Sequence, residues 1–324
     1  MPVKNAGSYL KPCIESIISQ SFKDWELIAI NDHSTDGSEE VLKEYQKHRA
    51  NIKLFNSNGH GIVAALRLAY KKCSGDVIHR MDADDLMPEN KLELMNGALV
   101  EGTVVTGQVS YFCDERELGN GFNQYAKWIN EAMESNNFWS EIYKECVLPS
   151  SAWMMYRSDF ERIGRFDSDF MPEDYDLCFR VYKYGLNVQR IPQVVHYWRD
   201  SANRTSRSEE VYFPMSYFHL KTTYFLDIDR KNEVPLVLWG AGKKGKSVAK
   251  LLIDSGEEFL WITDNEKKAG HNIYGKVLVL EGDLEWTNCQ TIIALSSPKD
   301  KIDIKNRMNA SPIVLKNVEF FWFC

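Results

Sequence analysis

The chain lacks several patterns that would assign its class at once. It has no run of roughly 18 or more apolar residues, which a membrane-spanning helix needs. No stretch at its start has the pattern of a signal peptide. The 7 cysteines include no Cys-x-x-Cys pair and form an odd total, so we expect reduced thiols rather than a disulfide framework or a zinc site. These absences predict an intracellular, cytoplasmic protein.

Excess basic charge is also missing. The formal net charge is −7, which argues against nucleic acid as a partner, because such binding needs a basic surface. There are no internal repeats and no low-complexity tracts. The 44% of hydrophobic residues are enough for packed cores, and 324 residues correspond to about two domains at roughly 150 residues each. We therefore expect a two-domain globular protein.

Strands and helices alternate along the first half of the chain. Apolar runs predict strands over 25–31, 52–55 and 77–80, and helical spacing predicts helices between them over 39–47 and 61–73. Alternation of this kind predicts βαβ units and a mostly parallel sheet. In such sheets ligands bind beyond the carboxyl ends of the strands. Asp32 and the run 82–85 follow two of these predicted ends.

The run after the third strand contains Asp82, Asp84 and Asp85. Three carboxylates in four positions repel one another unless positive charge lies between them. Hard oxygen ligands suit Mg²⁺ or Mn²⁺, and Mg²⁺ typically binds one or two carboxylates together with substrate phosphates. The pattern thus predicts a metal-assisted diphosphate site. A solvated acidic turn is the alternative.

The strand-and-helix pattern restarts near residue 235. An apolar run precedes Gly240, Gly242 and Gly245, a helix follows, and Asp264 ends the next predicted strand. This spacing is typical of dinucleotide-binding turns, in which a helix N-terminus receives a phosphate. The remaining region is about half of a full dinucleotide-binding fold. Nucleotide binding and a structural or oligomerising role both stay open. The apolar tail 320–323 is expected in a final strand or a subunit interface.

Several ordered motifs of the first 206 residues together resemble family 2 glycosyltransferases, which are nucleotide-sugar enzymes of the GT-A fold. The matching segments are the opening loop 1–10, the segments 16–22 and 26–28, the turn 31–38, the segments 61–66 and 75–76, the acidic run 80–85, Glu173 to Leu177, and 198–207. The resemblance implies a GT-A domain with a mixed, mostly parallel sheet over 1–206. We expect a helical linker over 207–234 and a small Rossmann-like α/β domain over 235–324, similar to those of some bacterial sugar-modifying enzymes.

The resemblance also implies site residues. The expected donor-binding residues are Pro2, Val3, Asn5, Asp32, Arg80, Asp82, Asp84 and Arg199. Asp84 and Asp82 are expected to hold Mg²⁺ or Mn²⁺, and Asp85 to anchor the loop through backbone N–H groups. Asp174 is expected to be the catalytic base, with Glu173 orienting it or the loop. Like charge from Glu173 and Asp176 would raise the pKa of such a base.

Each of these roles has a structural alternative. Asp32 is also placed for an Asx-turn or a helix cap. The Pro172-Glu173-Asp174 run is a good helix N-terminus as well. Arg199, Arg204 and Arg207 fit surface ion pairs nearly as well as a diphosphate contact.

The expected activity is that of a metal-dependent inverting glycosyltransferase. It would move a sugar from a nucleotide sugar, with a UDP-sugar as first guess, to a hydroxyl of a glycan or lipid-linked acceptor in cell-surface polysaccharide synthesis. Homo-oligomers and peripheral membrane contact at the inner face are further expectations. The alternatives are a nucleotidyltransferase and a nucleotide-sensing binding protein that uses the C-terminal glycines.

Two departures from the family pattern concern the start of the chain and the contact with the diphosphate. Members normally have an apolar strand just before the position of Pro2, so we expect the natural start to lie upstream of Met1. Leu66 and Arg67 replace an Arg-Asn pair of many members, and a diphosphate contact is not expected there.

Overall fold

A computed structural model of the chain describes residues 1–114, 116–135, 137–200, 214–284 and 286–295, position 297, positions 302, 304 and 306, and residues 317–324. The chain divides into two compact units. The first comprises Met1–Trp139 and Val147–Glu209, and the second comprises Ser140–Cys146 and Glu210–Cys324. None of the helices in the described ranges is both long enough and apolar enough to cross a bilayer.

The first unit contains two sheets. In one, β1 (Pro2–Val3), β2 (Leu27–Asn31) and β3 (Ile52–Asn56) lie parallel in the order β1-β2-β3. In the other, β4 (Val77–His79), β5 (Thr103–Phe112), β6 (Trp153–Tyr156) and β7 (Asn187–Arg199) take the order β4-β6-β5-β7. β6 is antiparallel to both neighbours, and β5 and β7 are parallel. The expected mixed, mostly parallel α/β fold is confirmed.

The helices of this unit follow the predicted alternation with the strands. They are α1 (Leu10–Ile18), α2 (Ser38–His48), α3 (Ile62–Lys72), α4 (Lys91–Gly97), α5 (Asn120–Glu134), α6 (Arg157–Arg162) and α7 (Glu173–Lys183). Single 3-10 turns occur at Gly7–Tyr9 and Phe138–Glu141. The predicted strands and helices of residues 1–80 are present with bounds that differ by up to a few residues.

Burial explains why these segments take these forms. All five residues of β2 are buried, as expected for a strand covered on both faces. α1 buries Leu10, Cys13, Ile14 and Ile17, which recur at the spacing of one helix face. β2 ends at the polar turn that contains Asp32, and β4, in the other sheet, ends just before the acidic run 80–85.

The second unit is built on a five-stranded parallel sheet. β8 (Leu236–Trp239), β9 (Leu260–Thr263), β12 (Val279–Leu280), β13 (Gln290–Ile293) and β14 (Glu319–Trp322) take the order β12-β9-β8-β13-β14. Two short strands, β10 (Asn272–Ile273) and β11 (Lys276–Val277), form a hairpin. A 3-10 turn occupies Glu281–Asp283.

The second unit also contains α8 (Pro214–Tyr224), a π-helical turn at Phe225–Asp229, and α9 (Lys243–Asp254). The described part of the predicted linker 207–234 therefore lies in this unit, together with the segment Ser140–Cys146 from earlier in the chain. The apolar tail forms the edge strand β14, and Phe323 beyond it is 1% exposed. The expected final strand is therefore present, and its four residues are half-buried.

Candidate active site at the ends of β2, β4 and β7

The turn after β2 holds a buried carboxylate. Asp32 is 3% exposed, and its Oδ2 accepts a hydrogen bond from the backbone N–H of Gly61 at 3.0 Å. The Nζ of Lys4 lies 3.9 Å from the same oxygen. Within the described structure, Oδ1 of Asp32 is buried and has no hydrogen-bond partner. An unpaired buried acceptor is costly, so this oxygen is placed to receive a donor from a ligand.

The opening loop is tied to the same turn. Val3 is fully buried in β1, and its carbonyl accepts the N–H of Asp32 at 2.7 Å. Asn5 donates its backbone N–H to Ser34 Oγ at 3.0 Å, and its Oδ1 accepts the N–H of Thr35 at 2.8 Å. The fold thus brings Pro2, Val3 and Asn5 beside Asp32, as their shared prediction as donor-binding residues requires. Direct donor contacts remain a prediction.

Arg80 connects two acidic motifs inside the protein. Its side chain is 6% exposed, Nε donates to Asp82 Oδ1 at 2.9 Å, and Nη1 donates to Glu173 Oε1 at 2.9 Å. Although burial opposes its charge, the two carboxylates raise the pKa of Arg80 further above its usual range. Burial likewise opposes ionisation of Asp82, but the charge and hydrogen bond of Arg80 outweigh it and lower the pKa of Asp82. Arg80 therefore holds the acidic loop against the first residue of α7.

Asp85 anchors the acidic loop to β7. Its Oδ1 accepts the backbone N–H of Arg199 at 2.8 Å, and its Oδ2 lies 2.9 Å from Nε2 of His196. The expected anchoring of the loop through a backbone N–H is confirmed. Arg199 also donates from Nε to the carbonyl of Asp84 at 2.6 Å. Both oxygens of Asp85 are thus engaged in holding the acidic loop against β7.

Arg199 itself is enclosed. It is 3% exposed, forms an ion pair with Asp114, and lies over the rings of Tyr9 at 4.7 Å and Phe112 at 4.4 Å. These contacts position the acidic loop, and a contact of Arg199 with diphosphate remains a prediction. Arg204 and Arg207 lie outside the described residues.

A buried Lys–His pair supports the same loop and was not anticipated from the sequence. Lys91 and His196 are both fully buried, and Lys91 Nζ lies 2.6 Å from the carbonyl of Ser151 and 3.1 Å from Nδ1 of His196. Because a lysine nitrogen donates here, Nδ1 is the acceptor and Nε2–H donates to Asp85. Burial lowers the pKa of Lys91 to about 7, against the opposing charges of Asp85 and Asp82.

The second acidic motif begins α7. Glu173 is 7% exposed and Asp174 is half-buried, and Asp174 Oδ1 accepts the backbone N–H of Tyr175 at 2.8 Å. Burial first, and then the charge of Glu173, raise the pKa of Asp174 to about 7. The sequence prediction of a raised pKa is thus supported, with desolvation as the larger cause. Asp176 is engaged by Arg180 at 2.8 Å on the same helix.

Arg67 has a positioning role that sequence reasoning missed. Its guanidinium donates to the carbonyls of Phe166, Asp167 and Ser168 and to Asp169 Oδ1 at 2.6 Å. These contacts fasten α3 to the loop that leads into α7. The arginine is visible in the sequence, but its hydrogen-bond acceptors lie about a hundred positions away. Its positioning role therefore could not be predicted from local pattern.

The two expected metal ligands are carboxylates of the acidic loop. Asp82 and Asp84 are both half-buried, and one oxygen of Asp82 is held by Arg80. Two hard carboxylates suit Mg²⁺ or Mn²⁺ bound together with a diphosphate. The donor set therefore fits the expected ion.

The glycines of the second unit differ in what surrounds them. A Cβ on Gly240 would lie 2.8 Å from the carbonyl oxygen of Ala294, and one on Gly245 would meet the carbonyl oxygen of Gly240 at 1.9 Å. A Cβ on Gly242 would meet nothing within 4 Å. Gly242 caps α9, and Asp264 follows the end of β9. Gly240 and Gly245 are thus required by packing, whereas Gly242 is not.

The α/β architecture and the acidic site at the ends of its strands define a GT-A glycosyltransferase. The family model for glycosyl transferase family 2 matches residues 1–164. The chain belongs to this family.

Relatives agree with this assignment. Glycosyltransferase GlyA of Streptococcus pneumoniae is 27% identical over 214 residues, which cover 64% of this chain and 31% of GlyA. An uncharacterized glycosyltransferase of Haemophilus influenzae is 28% identical over 211 residues, with 62% of this chain and 64% of that protein covered. The chain thus spans less than a third of the length of GlyA.

Solved structures share the fold. Residues 1–349 of Staphylococcus aureus TarS in complex with UDP-GlcNAc match with a TM-score of 0.53 at 16% identity, over 78% of this chain and 70% of that one. The mannosyltransferase PcManGT of Pyrobaculum calidifontis in complex with GDP-Man and Mn²⁺ matches with a TM-score of 0.52 at 16% identity, over 78% and 68%. At this identity the likeness concerns the fold.

Proposed function

We propose that the chain is a metal-dependent, inverting glycosyltransferase of cell-surface polysaccharide synthesis. It moves a sugar from a nucleotide sugar to a hydroxyl of a glycan or lipid-linked acceptor. The observation that carries the proposal is the bridge formed by Arg80, whose two hydrogen bonds of 2.9 Å place Asp82 of the acidic loop beside Glu173 and hence beside Asp174. Donor-binding and proton-accepting groups are thereby held in one cluster.

The nucleotide base is assigned to the turn after β2. Asp32 Oδ1 is a buried acceptor without a partner among the described residues, and a base N–H of the donor would satisfy it. The backbone and side chain of Asn5 shape the loop on the other side of this turn. A UDP-sugar is the first donor to test, since the fold neighbour TarS was crystallised with UDP-GlcNAc.

The diphosphate is assigned to Asp82 and Asp84. A divalent Mg²⁺ or Mn²⁺ bound there would neutralise the charge that grows on the leaving nucleoside diphosphate. Arg80 keeps Asp82 ionised, as its lowered pKa indicates, and Arg199 holds the carbonyl of Asp84 in place. The protein's own side chains therefore hold the carboxylates of Asp82 and Asp84 in position after the end of β4 before the donor binds.

Asp174 is assigned as the general base. A pKa of about 7 suits a group that must take a proton near neutral pH. The acceptor oxygen forms a bond to the anomeric carbon as the bond from that carbon to the diphosphate oxygen breaks, and the hydroxyl proton passes to Asp174. Because this is one direct displacement, the anomeric configuration inverts.

A second candidate function concerns the second unit. Gly242 has no packing reason to be glycine, and it caps a helix of 12 residues that follows a parallel strand. This supports the proposal that Gly240, Gly242, Gly245 and Asp264 belong to a Rossmann-like nucleotide-binding domain, with close backbone approach at Gly242.

The proposed location of the whole protein is cytoplasmic, at the inner face of the membrane where lipid-linked acceptors are found. Homo-oligomers and peripheral membrane contact also remain proposals.

The first experiment is a thermal-shift panel of nucleoside diphosphates and nucleotide sugars, with and without Mn²⁺. Ligand binding to the native state stabilises it by about 2.7 kcal/mol at a hundred times Kd. We expect a Mn²⁺-dependent shift with one base that is lost in Asp84→Ala and retained in the exposed-site control Asp24→Ala.

Transfer assays then use the donor that the panel identifies. Asp84→Ala and Asp174→Ala should each abolish transfer while the proteins stay folded. Turnover that survives Asp174→Ala would refute the assignment of the base. A shift with a dinucleotide alone, lost on Gly242→Ala, would place the nucleotide in the second unit and favour the alternative of a nucleotide-sensing protein.

A further inference from the structure

Two histidines lie beside the buried carboxylate of Asp32, and nothing in the proposed transfer uses them. His33 follows Asp32 directly, and His60 precedes Gly61 at the start of α3. Both residues are exposed, and their rings are stacked with centroids 4.4 Å apart and planes inclined by 29°. Two separate turns of the chain thus bring two imidazoles to one carboxylate.

The three residues converge closely enough to share one ion. One ligand atom each from Asp32, His33 and His60 can be chosen so that all lie within 4.8 Å of one another. Nε2 of His33 is 4.0 Å from Asp32 Oδ1. That oxygen is buried and has no hydrogen-bond partner in the described structure. A cation bound at the edges of the two rings, by one nitrogen of each, would supply the partner that this oxygen lacks.

The surroundings orient the three groups. The N–H of Gly61 holds Asp32 Oδ2 at 3.0 Å, so Oδ1 is turned toward the histidines. Nε2 of His33, the nitrogen that faces Asp32, lies 3.0 Å from the carbonyl of Gly59 and therefore donates its N–H there, which leaves Nδ1 as the ring nitrogen that binds the ion. A hydrogen bond from the second nitrogen is of the kind that fixes ring orientation around metal ligands. His33 has φ +57°, a left-handed conformation that is uncommon for residues other than glycine and that directs its ring over the turn.

We propose that Asp32, His33 and His60 form a binding site for a transition-metal dication of the Zn²⁺ class. Imidazole nitrogen suits Zn²⁺, Co²⁺ and Ni²⁺, whereas Mg²⁺ prefers oxygen ligands only. Two histidines and one carboxylate leave one position of a tetrahedral ion open. This site is chemically distinct from the all-carboxylate pair Asp82 and Asp84.

The site has a consequence for donor binding, which depends on the proposed function. The base of the nucleotide and the ion would both use Oδ1 of Asp32. One oxygen in a buried turn cannot serve a base N–H and an inner-sphere metal bond together. Occupancy by Zn²⁺ therefore excludes the nucleotide, and the nucleotide in turn lowers the affinity for Zn²⁺ by the same factor.

The direct test measures metal binding by the full-length chain in excess Mg²⁺, which fills the carboxylate pair. Zn²⁺ affinity is measured by calorimetry, and Co²⁺ is used as a spectroscopic probe. We expect one tightly bound Co²⁺ with the intense visible bands of a four-coordinate nitrogen and oxygen site. The affinity should fall about tenfold or more in His60→Ala and in His33→Gly, since loss even of an outer-shell partner costs 10- to 100-fold.

The variants are chosen to keep the fold. Both histidines are exposed, and glycine at position 33 is compatible with the observed φ of +57°. His48→Ala is the matched control, because His48 is also exposed and also contacts a carboxylate, Glu44 at 2.9 Å. Unchanged affinity in both His33→Gly and His60→Ala would overturn the proposal. Near-ultraviolet charge-transfer bands of Co²⁺–thiolate bonds would also overturn it, since they would place the ion on cysteine.

Competition separates this proposal from the donor-site proposal. UDP and GDP are titrated against the Co²⁺ complex, with inorganic pyrophosphate at equal concentration as the control for chelation in solution. We expect one nucleotide to displace Co²⁺ beyond the pyrophosphate control. If metal binding depends on both histidines but neither UDP nor GDP displaces the metal, the metal site is supported. The proposal that the ion and the nucleotide base share Asp32 is then overturned. Nucleotide binding that is insensitive to Co²⁺, with no histidine-dependent metal binding, overturns the metal site and leaves the donor site standing.

Discussion

Nη1 of Arg80 donates to Oε1 of Glu173 across 2.9 Å, although the two residues are 93 positions apart in the chain. Arg80 follows β4, and Glu173 is the first residue of α7. Both side chains are less than 10% exposed. The pair therefore couples the loop that carries Asp82 to the helix that carries Asp174, and the proposed chemistry depends on that coupling.

Replacing Arg80 tests the coupling. In Arg80→Met, the carboxylates of Asp82 and Glu173 lose a buried partner, which costs about 3–5 kcal/mol in the free energy of unfolding. Misplacement of the two motifs by about 1 Å would lower kcat about 100-fold. Denaturant unfolding and transfer assays measure the two effects. Arg162→Met, which removes a half-exposed ion pair with Asp159, should change stability by only about 0–1 kcal/mol.

Asp174→Asn should abolish transfer and stabilise the protein above neutral pH. The pKa of Asp174 is raised to about 7 from an ordinary value of 3.8, so the native state keeps a proton that the unfolded state releases between these pH values. Native stability is therefore lost as pH rises through this window. Asparagine does not ionise, and we expect it to raise the free energy of unfolding by about 1–2 kcal/mol at pH 8 and little at pH 4. A variant that is less stable than the wild type at pH 8 would contradict the assignment.

Glu173→Gln tests the electrostatic part of the raised pKa. The charge of Glu173 raises the pKa of Asp174, and glutamine removes this charge but keeps an oxygen for Arg80. A base must be deprotonated to act, so kcat/KM of the wild type should rise with pH through about 7. In Glu173→Gln this rise should move to lower pH. The pH profile of Glu161→Gln, an exposed change on α6, should coincide with that of the wild type.

Lys91 makes stability depend on pH in the alkaline range. Its pKa is lowered to about 7, whereas the unfolded side chain titrates near 10.5, so between these values the unfolded state binds the extra proton. The wild type should gain stability relative to Lys91→Met by up to about 1.4 kcal/mol per pH unit across this window. Below pH 7 the difference should be flat. Lys127→Met, on the exposed face of α5, should show no such slope.

The glycines of the second unit give a matched pair of substitutions. Gly245→Ala forces a Cβ against the carbonyl of Gly240 and should destabilise the full-length chain by about 1–3 kcal/mol or more. Gly242→Ala should stay within about 0.5 kcal/mol of the wild type, because its φ of −83° suits any residue and no atom lies within 4 Å. If the turn binds a nucleotide, Gly242→Ala should weaken that binding without unfolding. A large loss of stability in Gly242→Ala would show that this glycine is structural.

Local pattern was sufficient for much of the fold. β2 could be predicted because an apolar run of five residues ends at a turn-forming segment, and α1 because its apolar residues repeat at helical spacing. Asp32, the acidic run and Glu173–Asp174 could be selected because carboxylates that follow strand ends occur there together with the other ordered motifs of the family, although each has a structural alternative by itself. The division into units could be predicted only in part, since the grouping of Ser140–Cys146 with the second unit depends on distant contacts.

The sequence by itself determined which residues are candidates for the chemistry, because residue type and position relative to the strand ends are local properties. Only the tertiary structure decided which side chains each of them contacts. Arg80, whose contact with the donor stays a prediction, is buried between Asp82 and Glu173. His196 reaches Asp85 from 111 positions away, and His33 meets His60 through two separate turns. Such pairings depend on how strands and helices pack, and no local propensity encodes which distant side chain will satisfy a buried charge.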